Sequence, residues 1–197
     1  MEGMPKSLLA LVKNFSKLPG IGKKTAERLA IYILQSSNGK VESLADSLNN
    51  VKKNISTDKI SHCFDENGSC VNNQKNRDPN ILCIVEHSTD VFLIEKSGYK
   101  GHYHVLDGLI SPLDGIMADD LNIDNLLSVV RQYKEIVFAF DPTPQADATS
   151  LYLTNLLKKY NLTISRLARG VPIGSSLDYI DELTLAYSLE DRVEIKE

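Results

Sequence analysis

Two hydrophobic runs in the middle of the chain set its frame. ILCIVE, residues 81–86, and IVFAF, residues 136–140, are continuous and rich in Ile, Val and Phe, without polar alternation. Strands covered on both faces have this pattern, as in a parallel sheet. An acid stands at the end of each: Glu86 closes the first run, and Asp141 follows the second. Open α/β sheets place functional groups just beyond the carboxyl ends of their strands. After Glu86, HSTDVFLIEK predicts a short helix toward Lys96, capped by Ser88 or Thr89. Residues 102–106 predict a second strand, in which His102 and His104 are expected to be structural. A loop rich in turn formers and acids then runs to Asp120. Asp119 or Asp120 is expected to cap a helix carrying Leu121, Ile123, Leu126, Leu127 and Val130. Asp147, Ala148 and Thr149 lead into another helix, and residues 162–165 form the next strand. The order β-α-β-loop-α-β-α-β predicts an open, mainly parallel sheet.

The amino-terminal third has helical periodicity. Leu8, Leu9, Leu11, Val12 and Phe15 share one face of a helix ending near Lys17. LPGIG follows, at residues 18–22. A second helix from Lys23 to about Gln35 would bury Ala26, Leu29, Ala30 and Ile33, and a third, over residues 41–51, would pack on the first two. Gly20 and Gly22 let a phosphate approach the turn, and amides at the second helix's start can bind it. Lys23, Lys24 and Arg28 add charge that neutralises a backbone without reading bases. The pattern points to sequence-independent DNA binding. The plainer alternative is a helical hairpin whose glycines serve only the turn.

Charge sharpens that picture. The formal net charge of -4 divides unevenly. Residues 1–60 hold ten Lys/Arg and five Asp/Glu, a net of +5, whereas residues 61–197 hold twelve and twenty-one, a net of -9. A polyanion therefore belongs with the amino-terminal third. No apolar run reaches 18 residues, so no membrane span is expected, and the start lacks a signal-peptide core. Three cysteines, an odd number, argue against a disulfide framework and fit a reducing cytoplasm.

The candidate chemistry is incomplete. Cys63 and Cys70 supply two of the four ligands a structural zinc needs, and His62 is too close to Cys63 for a knuckle. Cys83 falls inside a strand and reads as a small buried apolar residue. Glu86, Asp90, Asp141 and Asp147 could gather at the sheet's edge, but Pro142 and the lack of an Asp-x-Asp there weaken a metal cradle. Neither a serine elbow nor a phosphate-binding glycine-lysine loop is present. Arg166 and Arg169 could pair with internal acids or with a neighbouring subunit. A helix over residues 182–189 and a short strand over 192–197 would end the chain, with apolar positions suited to contact with another copy.

LPGIGKKTAERLA, ILCIVE, YHVLDGLISPLDGI and RLARGVPIGSSLDYIDELTL together resemble the bacterial recombination mediator family RecR, over essentially the whole length. The resemblance implies an α/β protein of four parts. They are a helix-hairpin-helix domain over 1–56, a degenerate four-cysteine finger over 57–80, a topoisomerase-primase-type (Toprim) Rossmann-like domain over 81–175, and an oligomer-contact segment over 176–197. It implies a non-enzymatic DNA-repair protein that works with RecO, and in some settings RecF, to load RecA at single-stranded gaps. It also implies a homo-dimer or a ring-like tetramer. Gly20, Gly22, Lys23, Lys24 and Arg28 would face DNA, while Glu86, Asp90, Asp141 and Asp147 would form a partner-binding or vestigial acidic site. Two departures stand out. Ile60 and Asn73 occupy two of the family's four cysteine positions, so zinc is not expected, and the fold there would rely on packing, with Ile60 turned inward. DPTPQADAT stands where the family is closer to NPTVEGEAT, so Gln145 replaces an acid and Asp147 shortens another. The alternative is a metal-dependent Toprim-type enzyme, nuclease- or primase-like, using Glu86, Asp90 and Asp141.

Overall fold

The computed structural model describes residues 3–195. The chain forms two compact units, Met1–Ile55 and Ser56–Glu197.

The first unit is helical. α1 (Lys6–Phe15) and α2 (Lys23–Gln35) close a small core of Val12, Ala26 and Ala30, flanked by Leu8, Leu11, Phe15 and Ile21. Ala26 and Ala30 lie four apart on one face of α2, and their small side chains let α1 approach closely. Leu29 and Ile33 are only half-buried. α3 (Asn38–Asn54) is longer than its periodicity predicts and carries no buried residue, contrary to the expected three-helix packing. Its apolar stripe of Leu44, Leu48 and Val51 stays exposed, because the α1–α2 pair already closes its own core.

The second unit is built on a four-stranded sheet. Before it, β1 (Ile55–Thr57) and β2 (Phe64–Glu66) form a two-stranded ribbon. The main sheet comprises β3 (Asp78–Val85), β4 (Gly101–Val105), β5 (Glu135–Ala139) and β6 (Thr163–Arg166), in the order β4-β3-β5-β6. Every pairing is parallel, as the continuous apolar runs predict. Helices α4 (Ser88–Glu95), α5 (Ile123–Val129) and α6 (Pro144–Leu157) make the crossovers, and α7 (Glu182–Glu190) follows β6. Successive side chains of β3 divide between two cores. Leu82 and Ile84 meet Leu126 of α5 and Leu153 and Leu157 of α6. Cys83 and Val85 meet Val91 of α4, Tyr103, Cys63 and Cys70.

Helix starts differ from the sequence expectations, because the capping groups come from outside the predicted pattern. α4 starts at Ser88 with His87 before it, and the His87 amide donates to Asp90 Oδ2 at 2.8 Å. α5 starts at Ile123, and Asp120 instead closes a 3-10 turn by accepting the Met117 amide at 2.9 Å. α6 starts at Pro144, where a missing N–H costs nothing, and Thr143 Oγ1 accepts the Ala146 amide at 3.2 Å. Asp147 therefore lies inside the first turn of α6 rather than ahead of it. Residues 192–195 form no strand, and the last two positions of the strand expected at 192–197 lie outside the described residues.

His104 is wholly buried, with Nε2 donating to the Asn122 carbonyl at 2.7 Å. Burial pulls its imidazole down to about 4 from the ordinary 6.5, so the fold holds it neutral. Between those values only the unfolded chain binds the proton. The stabilisation is complete above the unfolded value and is lost as pH falls toward the folded one. Between pH 7 and pH 5, urea unfolding of the wild type should show roughly 2 kcal/mol more loss than that of His104→Gln.

Candidate nucleic-acid interface and acidic cleft

The turn between α1 and α2 has one apolar anchor and two open glycines. Ile21 packs into the α1–α2 core, and its amide donates to the Leu18 carbonyl at 3.1 Å. Gly20 has φ +75°, a conformation that a side chain would strain. Gly22 is extended, a geometry open to any residue, so its use is the lack of a side chain. The first hydrogen bond inside α2 runs from the Ala26 amide to the Gly22 carbonyl at 2.9 Å, and no side chain caps the helix start. The amides of Lys23, Lys24 and Thr25 are thus available to an anion, helped by the helix dipole. Nothing lies within 4 Å of where a Cβ would stand at either glycine. Lys23, Lys24 and Arg28 are all exposed beside this opening, and Lys24 and Arg28 sit one helical turn apart.

At the carboxyl edge of the main sheet, Val85 pairs with Ala139. Glu86 therefore lies level with Phe140, one residue short of Asp141. Glu86, Asp90 and Asp141 share a cleft of about 450 Å³ with His87, whose Nε2 is 3.3 Å from Glu86 Oε1. Asp90 is engaged there as the partner of the His87 amide. Asp147 does not line this cleft. It faces a separate small cavity beside Arg166 and Arg169, at 3.4 and 3.7 Å from their Nη1 atoms. The same two arginines hold Asp191 at 3.1 Å each, and Arg169 lies over the Tyr187 ring at 4.0 Å. Hydrogen bonding to Arg169 draws the Asp191 carboxyl below its ordinary range. Both arginines therefore pair within the chain and latch α7 to the end of β6. Among the described residues no three His, Cys, Asp or Glu side chains are arranged to hold a metal.

Residues 8–52 match the family described as RecR, helix-hairpin-helix; residues 80–168 match the Toprim domain; and residues 170–193 match RecR, C-terminal. Recombination protein RecR of Chlorobaculum parvum is 41% identical over 192 residues, covering 93% of this chain and 94% of that protein. RecR of Chloroherpeton thalassium is 42% identical over 200 residues, covering 94% and 95%. The chain belongs to the RecR family.

The family's zinc does not fit the residues present. Of its four ligand positions, two hold thiols, Cys63 and Cys70, both buried. Ile60 is 46% exposed rather than turned inward. Asp58 Oδ1 accepts the amides of Ile60 and Ser61 and the Ser61 hydroxyl, and this tight turn sends Ser61 into the interior instead. Asn73 spends its amide on the Gly68 carbonyl at 3.0 Å. The segment is held by hydrogen bonds to the outer edge of β4. Asn72 accepts the Tyr103 amide and donates to the Tyr103 carbonyl, both at 2.8 Å. The Ser61 carbonyl accepts the Val105 amide at 2.8 Å, and Asn122 Nδ2 donates to the Ile60 carbonyl at 3.0 Å.

Two structural anchors here escaped the sequence reading. Asn72 carried no local signal. Arg77 read as part of a polar junction, yet its side chain is 4% exposed and binds Glu95 at 2.6 and 2.8 Å. Tyr103 OH donates to the same carboxylate at 2.6 Å. A chelator should leave the thermal midpoint of this protein unchanged, and metal analysis should find less than one zinc per chain. Asn72→Ala, which strands the buried Tyr103 amide and leaves its carbonyl only the Cys63 thiol, should lower stability by roughly 1–3 kcal/mol in urea unfolding.

Proposed function

We propose that this protein is a recombination mediator in DNA repair, acting by binding rather than by turnover and gripping DNA without reading its sequence. The observation that carries this reading is the uncapped start of α2 behind a glycine turn, in a chain of the RecR family. Gly20 and Gly22 admit a phosphate, the first amides of α2 receive it, and Lys23, Lys24 and Arg28 neutralise its neighbours. Double replacement of Lys23 and Arg28 by Ala should weaken binding to all sequences alike. The slope of log affinity against log salt should fall by about 0.9 for each duplex phosphate that is no longer neutralised. An unchanged slope would place the DNA elsewhere.

The acidic edge is the proposed surface for protein partners of the RecO and RecF kinds, through which RecA is loaded at single-stranded gaps. Glu86 and Asp141 present carboxylates at an open cleft there. Asp90 and Asp147 are engaged by a helix-start amide and by arginines, which counts against the metal-dependent enzyme reading. Assembly as a homo-dimer or ring-like tetramer, through residues 176–197, is supported by the exposed Leu177, Tyr179, Leu183 and Leu189. The proposed setting is the cytoplasm, at the nucleoid; no helix among the described residues is long and apolar enough to cross a membrane. Light scattering coupled to size exclusion should give a mass of two or four chains. A strictly monomeric protein, with and without DNA, would sink the ring.

A further inference from the structure

We infer that Cys63 and Cys70 are a modification site, a dithiol that a peroxide converts into a reversible disulfide. Both sulfurs lie in one buried cluster, at 1% and 4% exposure. Both residues converge on the Ser61 hydroxyl: the Cys63 amide donates to it at 3.4 Å, and Cys70 Sγ is 4.0 Å from it. The chain between them runs out through β2 and reverses at Asn67 and Gly68, where φ is +55° and +84°. The Asn73–Gly68 hydrogen bond holds that reversal closed. Cys70 also lines a polar cleft of about 120 Å³ with Asp58, Ser61 and Asn72, which gives a small oxidant a route in.

The two thiols are unequal. Cys70 lines that cleft and Cys63 does not, and the Cys63 thiol is engaged with the Tyr103 carbonyl, to which it donates at 3.8 Å. Cys83 shares the cluster but sits in β3 between two ladders, and burial pushes it up to about 12. The thiolate is the nucleophile in such chemistry. Cys70 sulfur attacks one peroxide oxygen, the O–O bond breaks, and hydroxide leaves, giving a sulfenic acid at Cys70. Cys63 sulfur then attacks the Cys70 sulfur, the S–O bond breaks, and the departing hydroxide takes the Cys63 proton as water. The two sulfurs together lose two electrons, and the peroxide becomes water. A small thiol reverses the bond by exchange.

The test treats the full chain with hydrogen peroxide and then maps its peptides by mass. The expected product is lighter by two hydrogen atoms, links Cys63 to Cys70, and leaves one of the three thiols titratable until dithiothreitol restores the others. In Cys63→Ser the resolving sulfur is gone, so Cys70 should accumulate as a sulfenic acid that dimedone labels. Three intact thiols, a Cys70 sulfinic acid with no cross-link in the wild type, or a bridge to Cys83 would each overturn the inference. The wild-type map decides the matter even if the variant fails to fold.

Discussion

β3 is constrained on every side, and the rest of the second unit takes its position from it. Parallel ladders hold both its edges, and Val85 is level with Val105 on one side and Ala139 on the other. Leu82 and Ile84 fix one face, Cys83 and Val85 the other. A slip of one residue would exchange these two sets and expose each to the wrong core. The three strands β4, β3 and β5 therefore end together, and whatever leaves that edge is placed by their register. Glu86 and Asp141 come near each other for this reason.

The other edge of β4 is where a metal-bound finger and this segment part company. An open strand edge presents amides and carbonyls that need partners. Here Asn72 supplies a donor and an acceptor to the two backbone groups of Tyr103, as a neighbouring strand would. Arg77, its side chain buried, is satisfied by both oxygens of Glu95 and by the Gly101 carbonyl. Gly101 itself must be glycine, since a Cβ there would meet Tyr99 Oη at 2.1 Å and the Ile81 carbonyl at 2.8 Å. Such contacts fix the segment without a cation, and the two remaining thiols are released from any ligand duty.

The parts legible in the sequence were those written in local period. Continuous apolar runs marked β3 and β5, and the spacing of Ala26, Leu29, Ala30 and Ile33 marked α2 over its observed length. Long-range polar pairs were legible only by type: internal acids were one of two expected partners for Arg166 and Arg169, but which acids was not legible. Asp191 meets Arg166 and Arg169 across more than twenty residues, and no pattern in either stretch announces it. Ile60 misled because hydrophobicity alone says inward, whereas the Asp58 turn decides which side chain points in. Helix starts moved because His87, Thr143 and Asn122 hold positions for which more obvious capping residues stood nearby. α3 misled in the opposite sense, since its period is real but its partner is not within the α1–α2 core.

The phosphate site proposed at the start of α2 would cost this fold some stability. Ser, Asp or Asn at position 22 would cap the helix and add roughly a few tenths of a kcal/mol over glycine. Such a side chain would also occupy the amides of the first turn and, if acidic, repel a phosphate. Gly22 leaves those amides uncapped, and Ile21 anchors the turn in the core so that the open end remains ordered. The charge of the chain follows the same division. The net of +5 lies in residues 1–60 with this opening, and the -9 lies beyond it, where Glu86 and Asp141 would turn a polyanion away. On the proposed reading, an acidic protein holds DNA because the attraction is confined to one turn, built from backbone and three cations.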